Sequence, residues 1–296
     1  MNEIIIVDKP YGLTSSYVVN KLKKYFGASK AGHSGTLDPL ATGALVVYFD
    51  DMTKIIPFID ESTKKYKVKI LFGIETDTLD ISGQILRTSK VKDYSHIDFL
   101  DVVKNFIGDY DYTPPSFSAI KIKGVPSYKY ARQGRSVDLP KKKSIIKDIE
   151  VINSGISIVN LIVKSSKGTY IRALARDIGQ HVGSFSTVSK LERLETGKFK
   201  IEDSNDYYSI LDGKKPSFFS LSKLFPFIEI DNNDVDKISK QKNYKKVDLQ
   251  ELIDKKIQNP FIVMVNSDTP ILITTNKFNN NKEYISSEIK FFSKKN

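Results

Sequence analysis

The stretch AGHSGTLDPLATGALVV, residues 31–47, sets His33, Ser34, Thr36 and Asp38 among three glycines in front of an apolar run. Asp38 is the group with most chemical reach. It precedes Pro39, which biases it away from the α region. Asp-Pro is also common at turns, where the carboxylate caps the following amides, so a purely structural role is the first alternative. A phosphate cradle requires Gly-Lys-Ser/Thr at its end, and no lysine follows Gly35 or Gly43. Ser34 lacks the Gly-x-Ser-x-Gly spacing of a hydrolase nucleophile. The chain has no cysteine, which excludes disulfides, thiolate catalysis and cysteine-ligated zinc. Its three histidines, His33, His96 and His181, lie far apart without metal-ligand spacing. What remains is a carboxylate on a tight loop at a sheet edge, among small residues that let a planar ligand approach. That suits a nucleophile or a general base and names no reaction.

The flanking pattern predicts how the loop is held. Ile4 to Asp8 reads as a short strand. SSYVVNKLKKYFG follows as a helix with Ser15 or Ser16 as its cap, an inner face of Val18, Val19, Leu22 and Phe26, and Gly27 as its stop. ALVVYF is a strand. In KKYKVKILF, Tyr66, Val68, Ile70 and Phe72 alternate with Lys65, Lys67 and Lys69, giving one core face and one basic face. HIDFLDVVKNFIG reads as a helix. Residues 109–143 then mix aromatics and bases from a double proline to a triple lysine, a hairpin-like arm with a short helix near Ser127 to Gln133. Strands are expected at Ile145–Ile152 and Ile156–Ser165. GTYIRALARDIG is a helix burying Ile171, Leu174, Ala175 and Ile178, with Arg172 and Arg176 together on another face.

Past residue 225 the texture changes to short strands, FIEI, FIVMV, ILITT and EYISSEIKFF, with one helix, DLQELIDKK. The expectation is a main domain over 1–225 and a small β-rich module over 226–296. Strands and helices mix without βαβ alternation, so the fold class is α+β with a mostly antiparallel sheet. The 296 residues carry 46 Lys plus Arg against 35 Asp plus Glu, a net charge of +11. Such an excess favours a polyanionic partner, against the plainer reading of a charge that only keeps the protein soluble. Apolar runs such as ISIVNLIV are too short to span a bilayer. MNEIIIVDKP is a strand and not a secretory leader. A cytoplasmic location is expected.

Five segments together resemble the TruB-type tRNA pseudouridine synthases, in family order across residues 4–199. They are VDKPYGLTSS, GHSGTLDPLATGALVV, KKYKVKILFGIETDTLDISG, YTPPSFSAIKIKGVPSYKYARQG and SSKGTYIRALARDIG. The resemblance implies isomerisation of uridine 55 in the T arm of tRNA, with no redox step and therefore no expected cofactor or metal. It implies that Asp38 is the catalytic aspartate and Arg172 its partner. An arginine within about 4–6 Å counters the rise that burial imposes on a carboxylate pKa. Read from the helix alone, Arg172 is an exposed surface arginine. Tyr66 matches the tyrosine that stacks on the target uracil and helps remove its C5 proton; by pattern alone it is a core aromatic. Tyr170 and Leu191 match pocket-lining positions. His33 matches the histidine that fills the gap left by a flipped base. Lys9 and Pro10 match supports of the catalytic loop, Lys9 being counted with the substrate-binding residues, as is Lys121 of the Pro-Pro-x-x-Ser-Ala-x-Lys arm. The arm resembles an RNA-gripping thumb, and the C-terminal module is PUA-like by position. Ser34 stands where threonine is commoner, and Glu192 where a second basic residue is. The expected partner is the tRNA T stem-loop, bound by a monomer. The competing functions are the catalytic subunit of a guide-RNA particle and a non-catalytic tRNA-binding or folding module.

Overall fold

In the computed structural model, which describes residues 1–90, 93–225, 227–230, 261–265, 269–278 and 284–291, the alternating residues at 63–72 form a central strand. The strands of the main domain are β1 (Ile4–Lys9), β2 (Ala31–Ser34), β3 (Thr42–Phe49), β4 (Thr63–Phe72), β5 (Ile74–Thr76), β6 (Ile85–Thr88) and β7 (Gly108–Tyr112). After them come β8 (Lys121–Ile122), β9 (Val125–Pro126), β10 (Lys142–Gly155), β11 (Ile158–Ser166), β12 (Ser186–Thr196), β13 (Phe199–Lys200) and β14 (Asn205–Asp206). The helices are α1 (Ser15–Tyr25), α2 (Phe99–Lys104), α3 (Ser127–Ala131), α4 (Ile171–His181) and α5 (Tyr207–Leu211).

A ten-stranded sheet runs in the order β14-β1-β3-β12-β4-β11-β10-β7, with β2 added to β3 and β13 to β12. All its pairs are antiparallel except β1–β14 and β3–β12. The fold is α+β with a mostly antiparallel sheet, as expected. β1 and β3 are covered on both faces, which is why they read as unbroken apolar runs. Ile5, Val7, Leu45 and Val47 join the larger core with α1 and α4 residues, while Ile4, Ile6, Val46 and Tyr48 pack with Met52, Ile55 and Phe199. β4 keeps the predicted alternation. Tyr66, Val68, Ile70 and Phe72 are buried, and Lys65 on the other face pairs with Glu195 at 3.7 Å. The predicted stripe of α4 is buried throughout.

Two local expectations are corrected. Thr14, not Ser15 or Ser16, caps α1, its hydroxyl accepting from Tyr17 N at 3.1 Å. Ser15 is engaged elsewhere. The helix expected over 96–108 shrinks to α2, because Asp98 caps it at Leu100 N and Gly108, at φ 104, turns the chain into β7. The arm leaves between β7 and β10, paired from Lys142–Tyr112 to Ile146–Gly108. It carries the small β8–β9 hairpin, closed by Lys123 and Gly124 at positive φ, and then α3.

The β3–β12 ladder is short, with Glu192 opposite Thr42 and Arg193 opposite Gly43. A Cβ on Gly43 would lie 2.4 Å from the Arg193 carbonyl oxygen, and Gly43 has φ +101. Gly43→Ala is therefore expected to destabilise the fold by roughly 2–4 kcal/mol. Urea unfolding of the two proteins checks this.

Beyond residue 225, β15 (Phe227–Ile230), β16 (Phe261–Val265), β17 (Thr269–Phe278) and β18 (Tyr284–Phe291) form a separate four-stranded sheet in that order. The helix expected at 248–256 and the basic stretch 237–246 lie outside the described residues. Among the described residues no helix is long and apolar enough to cross a membrane.

Candidate active site

The loop that carries Asp38 is clamped from behind. Ser15 Oγ donates to the Leu37 carbonyl at 3.0 Å and accepts from Leu37 N at 2.8 Å. Gly12 N donates to the Pro39 carbonyl at 2.8 Å. Lys9 Nζ donates to the carbonyls of Leu13 (2.6 Å), Pro10 (2.8 Å) and Pro39 (3.4 Å). Lys9 is 0% exposed and so cannot touch a ligand in this arrangement; its place among substrate contacts is corrected to that of a brace. Burial pulls its pKa down to about 8, with the Asp38 charge opposing.

Arg172 faces Asp38 across the opening, its Nε 2.8 Å from Asp38 Oδ2. The contact is an ion pair without hydrogen-bond alignment at Nε. The rest of the guanidinium is fully engaged. Nη1 donates to the Thr78 carbonyl at 2.5 Å and lies 3.6 Å from Asp80 Oδ2, and Nη2 donates to the Phe117 carbonyl at 3.0 Å. Arg172 is 3% exposed, which sets aside the surface-arginine alternative, whereas the Asp38 side chain keeps 35% of its exposure. The turn that offers the Thr78 carbonyl holds Leu79 at φ 60, an uncommon conformation for a branched residue. Asp80 is tied down in that turn by Thr78 Oγ1 and Ser82 N.

A cavity of about 680 Å³ opens over this pair, lined by Asp38, Tyr66, Tyr170, Arg172 and Leu191 among others. Five of the eight site residues expected from sequence thus come together. Tyr66 is both the buried core aromatic and a wall of the cavity. Burial raises the Tyr170 pKa, against a hydrogen bond from Ser118 of the arm. His33 is half-buried on β2 and does not line the cavity; burial first, then the Arg193 charge, lower its pKa and keep its imidazole neutral at pH 7. Lys121 is exposed on β8, away from the lining.

The sequence reading passed over two buried cations. Lys64 stands two residues before Tyr66 on the same face, lines the cavity, and lies 3.7 Å from Glu61 Oε2. Arg193 is fully buried across from Tyr66, bonding the Ala44 carbonyl at 2.9 Å and the Gly35 carbonyl at 3.0 Å. Their only signal was the strand period: both fall on core-facing positions.

Burial, then the Arg193 charge, push the Lys64 pKa from 10.5 down to about 8. Between those values the unfolded chain holds a proton that the folded protein has released. Stability contributed at this residue therefore rises with pH across that window, by at most about 1.4 kcal/mol per unit. Below it both states are protonated and burying the cation is a constant cost. Wild type is expected to gain on Lys64→Met in urea unfolding as the pH climbs through the window. Among the described residues no cluster of His, Cys, Asp and Glu is arranged to hold a metal ion.

Residues 23–171 match the family model described as TruB family pseudouridylate synthase (N terminal domain). The protein named tRNA pseudouridine synthase B of Syntrophotalea carbinolica is 42% identical over 207 residues, 69% of this chain and 67% of that one. Its namesake in Geobacter sulfurreducens is 40% identical over 205 residues, 68% of this chain and 66% of the relative. That of Clostridium tetani is 39% identical over 236 residues, 78% and 81% of the two chains. The chain thus matches about two thirds of the length of the first two relatives. Among solved structures, one described as an H/ACA RNP bound to a substrate RNA containing 2'-deoxyuridine superposes with a TM-score of 0.64. It is 20% identical and covers 98% of this chain and 84% of that one, a likeness of fold.

Proposed function

The chain belongs to the TruB family of pseudouridylate synthases, and from that premise we propose that it isomerises uridine 55 in the T arm of tRNA to pseudouridine. The observation that carries the reading is a half-exposed carboxylate, Asp38, held 2.8 Å from a buried arginine at a cavity walled by a tyrosine. The reaction breaks the bond from ribose C1′ to N1, turns the uracil, joins C1′ to C5, releases the C5 proton and places a proton on the freed N1. Substrate and product are isomers, so the site must supply position and charge.

Asp38 is the residue that acts on the reacting nucleoside. Arg172 holds that carboxylate in place and sets a preorganised positive charge beside it in a partly dry site. The target base must leave its stack, at a cost of a few kcal/mol. Stacking on the Tyr66 ring offsets about 1–3 kcal/mol of it. Tyr170 and Leu191 confine the base, and the Tyr66 hydroxyl sits by C5. The arm, with Lys121, grips the RNA backbone. His33 fills the space the base vacates, and the β-rich module over 226–296 binds RNA as a PUA-like unit. The enzyme works as a cytoplasmic monomer. The tRNA reading is favoured over a guide-RNA subunit because the three relatives at 39–42% identity carry the tRNA name, whereas the ribonucleoprotein likeness stands at 20% identity.

The test uses tRNA transcripts labelled with tritium at uridine C5. The purified chain alone is expected to release the label of position 55 into water. Tight binding without release would leave a binding module, and release only with an added guide RNA would leave a particle subunit.

A further inference from the structure

Arg193 lies directly opposite Tyr66 in the β12–β4 ladder and does not line the cavity. Its Nε and Nη2 bond the carbonyls of Ala44 and Gly35, one on each side of the Asp38 loop. Gly35 has φ +77, and a Cβ there would lie 2.4 Å from Lys64 Nζ and 3.2 Å from Arg193 Nη1, so the loop's glycine lets both buried cations approach it. No ion pair of the described residues includes Arg193, although it is fully buried. An unpaired buried cation is costly, so its field falls on whatever faces it. Resting on the pseudouridine synthase reading and extending it, we infer that Arg193 is a positioning residue. It ties the Tyr66 strand to both flanks of the Asp38 loop and so sets the Tyr66 hydroxyl against C5 of the uracil.

The electrostatics agree with the geometry. Burial raises the Tyr66 pKa, the Arg193 charge opposes that rise, the Asp38 and Glu61 charges add to it, and the net direction is upward. Arg193 is the leading charge that opposes the rise. A misplacement of about 1 Å at a reacting group costs on the order of 100-fold in rate.

The test compares wild type with Arg193→Lys on tRNA transcripts carrying protium or deuterium at uridine C5. The lysine keeps the charge and loses the planar fork that spans two carbonyls. We expect a rate about 10- to 100-fold lower, unchanged RNA affinity, and a primary deuterium isotope effect larger than in wild type, because C5 proton loss becomes limiting. A rate loss with the wild-type isotope effect would reduce Arg193 to a structural brace and overturn the inference, as would an unchanged rate. A second variant, Arg193→Gln, which keeps a planar donor and removes the charge, covers the case in which the lysine variant does not fold; a rate loss without the larger isotope effect overturns the inference there too. If wild type itself releases no C5 label, the functional reading fails; label release by wild type with an unchanged isotope effect in the variants fails the claim about Arg193 alone.

Discussion

Asp38→Asn is expected to abolish C5 label release, lowering the rate by about 10⁴-fold or more, while RNA binding and the melting temperature stay close to wild type. The amide matches the carboxylate in shape and carries no negative charge. A loss of that size is roughly 5.5 kcal/mol of transition-state stabilisation, more than one hydrogen bond supplies and within what an essential nucleophile or base contributes. The fold has little reason to respond. The Asp38 side chain is 35% exposed, and the loop around it is held through backbone atoms by Ser15, Gly12 and Lys9. Arg172 loses one partner and keeps the Thr78 and Phe117 carbonyls and Asp80. Ion pairs with one exposed member contribute about 0–1 kcal/mol. Single-turnover label release, filter binding and thermal melts check the three parts separately. Turnover within tenfold of wild type would remove Asp38 from the chemistry and the proposed function with it.

What the sequence disclosed depended on whether a residue's neighbours in the chain decide its environment. The alternation of 65–72 was legible because a strand with one covered face must show period two. The stripe of Ile171, Leu174, Ala175 and Ile178 was legible for the corresponding helical reason. Asp38 stood out as a loop carboxylate, but its reaction did not, because the residues that give it meaning come from positions 66, 172 and 191. Sheet order was hidden altogether: β12 inserts between β3 and β4, which follow one another in the chain. That insertion creates the Arg193–Tyr66 and Arg193–Gly43 pairs. Lys64 and Arg193 were passed over because lysine and arginine are almost never fully buried unless paired. Three serine and threonine hydroxyls compete to cap α1, and the outcome was set by Leu37, which takes Ser15 for the loop.

Arg172→Lys is expected to show the opposite balance to Asp38→Asn, with a rate lower by about 10²–10³-fold and a clear loss of stability. The guanidinium joins three segments that are distant in the chain: Asp38 in the loop, Thr78 and Asp80 in the turn after β5, and Phe117 at the root of the arm. Its rigid fork reaches all three at once. A single ammonium nitrogen has one position, and whichever carbonyl it takes, another is left buried without a donor. Each such group costs about 1–3 kcal/mol, and Asp80, also buried, loses its cation. For a domain of this size each kcal/mol lowers the melting temperature by about 2–4 °C. Arg172→Met, which removes the charge altogether, is expected to cost about 3–5 kcal/mol, as for a buried ion pair broken from one side. Melting and label release measured on both substitutions separate the roles. If the lysine variant lost activity at full stability, Arg172 would serve Asp38 alone. A stability loss shared with the methionine variant makes it the point where the catalytic loop, the turn and the RNA-gripping arm are locked together, so that the carboxylate is placed only when all three are home.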